Sequence, residues 1–313
     1  MTQRSILLGS VVLLCGTACS KQDSSGDPWV GSASAGGSED SGGDGGDDGA
    51  GGPCSLSAED PPLTLAGSGD AAPGRVTGLA LAGGTSVACG AGFVAVAGGG
   101  SVDLTGTCTG IVAVDDTTVA AVSDSGSVVL VGVGDTPSIL ASAEASAGAH
   151  DVAYDGTSLA VAVGSGGVAS FDASGGTLTA AGSVTTALDV RAVEATASGW
   201  LVGGPDHITA LGSDGAAAGS VEIRGSVTDI SVRDGVGLVT RGPFGFDVVD
   251  VSSGVSSVIN VPTEGSALDG ALLDGIALVA TGGAVHRYEL AGGGAELSAK
   301  AARPDTAQLV GDW

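Results

Sequence analysis

HDVAYDGTSLAVAVGSGGVASFDASGGTLTAAGSV, residues 150–184, decides the fold. HDVAY alternates apolar with polar, DGT turns the chain, and SLAVAV, GVASFDA and TLTAAGSV follow, separated by GSG and SGG. The stretch reads as four short strands divided by Gly, Asp and Ser, and it carries no helical period. Related strings recur along the chain: LALAGGTSVA from Leu79, IVAVDDTTVAAV from Ile111, DVRAV from Asp189, DISVRDGVGLV from Asp229 and DGALLDGIALVA from Asp269. Taking Leu79, Ile111, Asp151, Asp189, Asp229 and Asp269 as anchors, copies follow one another every 32 to 40 residues. The Asp-Gly pairs 155–156, 234–235 and 274–275 sit in the first turn of their copies, and Asp-Gly suits the positive φ of a type I′ hairpin.

Four short strands per copy, repeated at a period near 40, predict an all-β protein built as a β-propeller, in which neighbouring sheets bury each other's faces. The six copies, near 75–109, 110–147, 148–185, 186–225, 226–265 and 266–304, predict a six-bladed ring, with seven blades as the alternative. LTLAGS at 63–68 and AQLVG at 307–311 are candidates for the strand that closes the ring. The copies resemble the LVIVD and YVTN propeller repeats of bacterial exported proteins. FDVVDVSS at 246–253, GVASFDAS at 167–174 and the Asp-Val openings at Asp151 and Asp189 carry the resemblance. It implies a scaffold on an exported protein and no particular activity.

The chain before the repeats divides in two. Residues 1–18 read as a signal: Arg4 precedes a nine-residue apolar run at 6–14, which is too short to span a bilayer. Gly16, Thr17 and Ala18 then lead to Cys19. This resembles the lipobox of bacterial lipoproteins and implies that Cys19 is lipidated and becomes the mature N-terminus. Acyl chains there would anchor the protein in a membrane. Ser20 and Lys21 follow, with no Asp at the second position, and the resemblance then implies the outer membrane. Residues 19–53 hold seven acids, one lysine and little apolar surface, so they read as a disordered tether. The propeller domain is expected over 54–313.

Composition narrows the function. The chain has 313 residues, 58 of them Gly, and a net charge of −25; from Cys54 onward 28 acids face eight bases. Such a balance excludes a nucleic-acid binder, which needs clustered Lys and Arg against phosphate. It also suits a soluble monomer. Export favours a disulfide among Cys54, Cys89 and Cys108, and Cys89–Cys108 is favoured because both lie in the first copy.

Asp151, Asp189, Asp229 and Asp269 recur at one position of their copies. Were they to open the innermost strands, their carboxylates would converge at a channel mouth and form a candidate Ca²⁺ site. The competing reading has each Asp accept backbone N–H groups from its own or the next blade. His150, His207 and His286 fall at different phases, and the arginines read as counter-charges to the acids. No G-x-S-x-G elbow and no phosphate-binding loop occurs. The leading expectation is therefore a cell-envelope lipoprotein displaying a non-catalytic binding scaffold, with an envelope protein or a glycan as partner. The alternatives are a metal-assisted hydrolase or lyase at the channel mouth, and a structural envelope protein without a discrete ligand.

Overall fold

The computed structural model describes residues 74–184, 189–291 and 294–302. The signal, Cys19, the tether, Cys54 and the two candidate closing strands lie outside the described residues. Within them the chain is a β-propeller of five sheets. The first has six strands in sequence order: β1 (Val76–Ala82), β2 (Thr85–Val96), β3 (Ser101–Asp115), β4 (Thr118–Ser123), β5 (Ser127–Gly132) and β6 (Ser138–Glu144). Four four-stranded antiparallel sheets follow. They are β7 (Asp151–Tyr154), β8 (Ser158–Ala162), β9 (Val168–Asp172) and β10 (Thr179–Val184); β11 (Ala192–Thr196), β12 (Gly199–Gly203), β13 (His207–Gly212) and β14 (Ala217–Glu222); β15 (Asp229–Arg233), β16 (Val236–Thr240), β17 (Phe246–Asp250) and β18 (Ser256–Val261); and β19 (Ala267–Leu273), β20 (Ile276–Thr281), β21 (Ala284–Ala291) and β22 (Gly294–Ala302).

The expected count of six or seven blades is therefore corrected to five. The reason lies in β3. Thr105-Gly106-Thr107-Cys108-Thr109-Gly110 spans the boundary read between the first two copies, yet it holds no Asp-Gly or Pro that would end a strand. The backbone bends at Gly106 (φ +87°) and the register slips between Cys108 and Gly110, but the strand continues. Its first part pairs with β2 and its second with β4, so two sequence copies share one sheet. Cys89 and Cys108 are joined by a disulfide across this bend (S–S 2.03 Å, Cα–Cα 5.8 Å), and the Thr77 hydroxyl donates to the Cys108 carbonyl at 2.7 Å.

Burial explains the strand compositions. The middle strands have sheets on both faces, so all residues of β4 and β12 are buried and mostly apolar. Outer strands such as β14 alternate exposed and half-buried positions. Each interface between sheets is a separate apolar layer. Val122 and Leu130 of the first sheet meet Leu159, Val161 and Phe171 of the second. Ala160 and Val168 meet Val193, Trp200 and Val202; Leu201 and Ile208 meet Ile230, Val239 and Val249. Leu238 and Phe246 meet Leu272, Val279 and Tyr288, with Phe246 and Tyr288 edge to face at 4.8 Å. Each fully buried Val, Leu or Phe contributes about 1.5–3 kcal/mol, so many light layers stabilise a chain with few large residues. Close approach needs glycine in places: a Cβ at Gly270 would lie 2.7 Å from Leu238 Cδ2 of the preceding sheet.

The second half of β3 and then β7, β11, β15 and β19 touch in succession and form the inner wall of the ring. In the second, third and fourth sheets the loop after the second strand bonds the start of the next sheet. Gly164 and Val190 exchange two backbone hydrogen bonds of 2.9 Å, Gly242 and Ala267 do the same at 2.9 and 2.8 Å, and Val227 N–H donates to Gly204 O at 2.9 Å. These loops and the starts of the inner strands form one end of the ring, called the upper face below. Hairpin turns occupy the lower end. There Asp155 Oδ1 accepts N–H bonds from Thr157 and Ser158 at 2.9 and 2.8 Å, which makes it a turn cap. Of the three Asp-Gly turns, only Asp234-Gly235 has positive φ at both residues (50° and 78°), as type I′ requires.

Candidate binding face

Asp151, Asp229 and Asp269 sit on β7, β15 and β19 opposite Ala162, Thr240 and Ala280, at the upper end of the inner wall. The fourth predicted member does not join them. In β11 the corresponding place, opposite Gly203, belongs to Ala192, and Asp189 lies three residues earlier. Asp189 is held by Arg191 instead, at 2.9 Å. The short string DVRAV matched the other copies in residue type but not in phase.

The inner carboxylates bond their neighbours. Asp151 Oδ2 accepts the Val193 N–H of the next sheet at 3.0 Å, and Oδ1 accepts the Val152 N–H at 2.8 Å. Asp229 Oδ2 accepts the Gly270 N–H of its next sheet at 2.9 Å, and two residues on, Ser231 Oγ accepts the Leu272 N–H at 3.1 Å. Protein surrounds these carboxyl groups, although both residues keep some solvent contact. Burial pushes the Asp151 carboxyl up to about 7, the bonds from Val193 and Val152 pull it down, and the charge of Asp269 adds to the rise. Burial raises Asp229 well above the usual carboxylate range, and Asp269, Asp151 and Glu194 raise it further. The three aspartates are close enough to repel one another, and two of them latch adjacent sheets. Among the described residues, no group of three or more His, Cys, Asp or Glu side chains is disposed to hold a metal ion.

The histidines are scattered. His207 is buried with Nδ1 2.9 Å from Asp206 Oδ1. His286 is buried beside Tyr288, and burial lowers its pKa, as does nearby Lys300. His150 is exposed next to Gly164. The partners of His207 and His286 are Asp206 and Tyr288, and among the described residues neither histidine bonds a Ser, Thr or Cys side chain.

The upper face carries a feature that the repeat pattern did not single out. The loop Arg241-Gly242-Pro243-Phe244-Gly245 between β16 and β17 displays Phe244, 40 % exposed, the one exposed aromatic among the described residues. Arg224, in the loop after β14, stacks over its ring at 5.9 Å. Leu268 stands 42 % exposed beside Ala267, the residue bonded to Gly242. Beneath them Arg241 and Asp247 form a buried ion pair, with contacts of 2.7 Å from both Nε and Nη2. Burial pushes the Asp247 carboxyl up against the pull of Arg241 and the Asn260 amide. The arginines read as counter-charges mostly act so: Arg233 reaches Asp274 at 2.8 Å and Arg287 reaches Glu289 at 3.0 Å. Arg224 makes no ion pair among the described residues. The sequence signal for this ledge is Pro-Phe held between two glycines, an aromatic in a tight loop where burial is not available.

No family model matches the chain, and no curated protein matches it. In fold it is similar to the crystal structure of the computationally designed Ika8 protein, with a TM-score of 0.60 and 13 % identity over 80 % of each chain. That likeness concerns the fold alone. The repeat-family and lipoprotein resemblances thus rest on the residues that carry them.

Proposed function

We propose that the protein is a lipid-anchored cell-envelope protein, held by Cys19 in the outer membrane, that displays its propeller as a non-catalytic binding scaffold. A protein segment docks on the upper face. The observation that carries this reading is that Phe244, on the loop after β16, and Leu268, at the start of β19, both stand exposed, while Gly242 and Ala267 beside them exchange backbone hydrogen bonds. Large apolar side chains left in water on a rigid support favour a partner that covers them. A protein segment fits better than a glycan, because Leu268 offers an aliphatic contact and no second exposed aromatic extends a sugar-stacking platform among the described residues. The carboxylates at the inner wall favour the scaffold reading over the metal-assisted hydrolase or lyase, since their oxygens accept backbone N–H groups.

A photo-crosslinking residue placed at position 244, 268 or 139 of the full-length protein in cells tests the proposal. Ile139 is 46 % exposed on an outer strand and serves as the control. A discrete adduct is expected from 244 and 268 and not from 139. Adducts of equal yield from all three, or none, would remove the upper face as the docking site.

A further inference from the structure

A buried charge network bonds the backbone of both Phe244 and Arg224. We propose that Arg241, Asp247 and Asn260 are positioning residues that fix the Phe244–Arg224 ledge for a partner segment bearing an apolar side chain beside a carboxylate. This rests on the reading of the upper face as a docking site.

The backbone comparison comes first. Arg241 begins the loop after the second strand of its sheet, and its N–H donates to the carbonyl of Gly245, four residues on, at 2.8 Å. Val163 makes the same bond to Gly167 at 2.9 Å in the second sheet. A valine therefore serves the backbone there, and the guanidinium of Arg241 is surplus to the turn. It is also costly to keep, because Arg241 and Asp247 are 4 % and 1 % exposed and both charges lose their water. A buried ion pair of this kind is often no more stabilising than apolar side chains of similar volume, and its best-attested use is to fix one arrangement.

The arrangement it fixes is visible in the remaining bonds. Arg241 Nη1 donates to the carbonyl of Arg224. Asn260 Nδ2 contacts Asp247 Oδ1 at 3.1 Å, the carbonyl of Phe244 at 3.2 Å and that of Phe246 at 3.3 Å. The network thus grips the backbone of both ledge residues, which belong to different sheets. Gly225 completes the seat. Its φ is +90°, and a Cβ there would lie 2.2 Å from Phe244 Cδ2, so the ring rests on bare backbone. A rigid aromatic with a cation over it gives the ligand chemistry. The ring takes an apolar side chain, and Arg224, exposed and without an ion pair among the described residues, takes a carboxylate. One positive group in a chain of net charge −25 is a local exception that selects for that pairing.

The test compares the full-length protein with the double variant Arg241→Met/Asp247→Met, which replaces the ion pair by apolar chains, and with Asn260→Ala, which leaves the ion pair and frees the Phe244 carbonyl. Trypsin cleavage after Arg224, mapped by mass, needs no partner. In the wild type the Arg224 carbonyl is bound, and slow cleavage there is expected. At least tenfold faster cleavage at this bond is expected in the double variant, with cleavage after Arg191 unchanged. Crosslinking through position 244 should fall several-fold in both variants. Unchanged cleavage after Arg224 and unchanged crosslinking in folded variants would overturn the positioning role. If the double variant does not fold, the network is structural and the proposal fails unless Asn260→Ala, folded, loses crosslinking. Faster cleavage together with no crosslink in the wild type would instead leave the positioning intact and refute the docking site.

Discussion

Replacing Asp151 by Asn should flatten the fall of stability with pH. In the folded protein the Asp151 carboxyl titrates near 7, against 3.8 for an unhindered aspartate. The folded state therefore binds its proton more tightly than the unfolded chain does. The stability this contributes is fully present below pH 3.8 and is lost as pH rises through 7. At about 1.4 kcal/mol per pH unit the whole loss is on the order of 4 kcal/mol, and the partial solvent exposure of Asp151 reduces it to roughly 2–4 kcal/mol. Asp229 is raised in the same direction and is relieved when the charge of Asp151 is removed. Asp115, Asp172, Asp250 and Glu264 are lowered by hydrogen bonds in their turns or to Lys300, so their stabilisation is lost only as pH falls through the acid range, below this window. Asp151→Asn keeps an oxygen for the Val193 N–H, gives up the bond from the Val152 N–H at a cost that does not vary with pH, and has nothing to titrate. Urea unfolding at pH 5, 6, 7 and 8, followed through the fluorescence of buried Trp200, reads the effect. Between pH 5 and 7 the wild type should lose up to about 1.4 kcal/mol more per pH unit than the variant, and the difference should level off by pH 8. Parallel profiles for the two proteins, or a wild type that gains stability over this range, would refute the reasoning.

Three further outcomes are expected. The Cys89–Cys108 bridge closes 19 residues, so Cys89→Ser/Cys108→Ser should cost about 3 kcal/mol in the chain-entropy treatment; a thiol titration of the unfolded protein checks the bridge, and a third thiol pairing would show as a different free cysteine. At Gly245 (φ +81°) a Cβ would lie 2.2 Å from the Val261 carbonyl, so Gly245→Ala should lower the melting temperature by on the order of 5–10 °C and loosen the Phe244 loop as well. Millimolar Ca²⁺ added after EDTA should leave the melting temperature unchanged, because the oxygens of Asp151 and one of Asp229 are engaged by N–H groups; a rise of several degrees would restore the inner wall as a cation site.

Much of the architecture is written in the sequence because strand periodicity and turn residues are local signals. Four short strands between Gly and Asp turns appear directly in residues 150–184, and the sheets follow them. The blade count is less accessible. It depends on whether Thr107-Cys108-Thr109 ends a strand or carries it through, and small β-compatible residues around a bending glycine leave that to tertiary pairing with β2 and β4. Phase is similarly hidden: Asp189 resembles Asp151 in its neighbours, but only the pairing of Ala192 with Gly203 shows where β11 begins. The inner carboxylates could be placed on one face from their spacing, whereas their bonds to the next sheet depend on contacts 41 or 42 residues away. The ledge at Phe244 was the least legible, since Arg241, Asp247, Asn260 and Arg224 come from four segments that meet only in the fold.

The most direct test of the upper face as a docking surface is retention of envelope proteins by three full-length baits: the wild type, Phe244→Ser/Leu268→Ser, and the outer-strand control Ile139→Ser/Leu140→Ser. The account predicts a partner retained by the wild type and the control and lost from the Phe244/Leu268 variant. Equal retention by all three, or loss from the control alone, would contradict it.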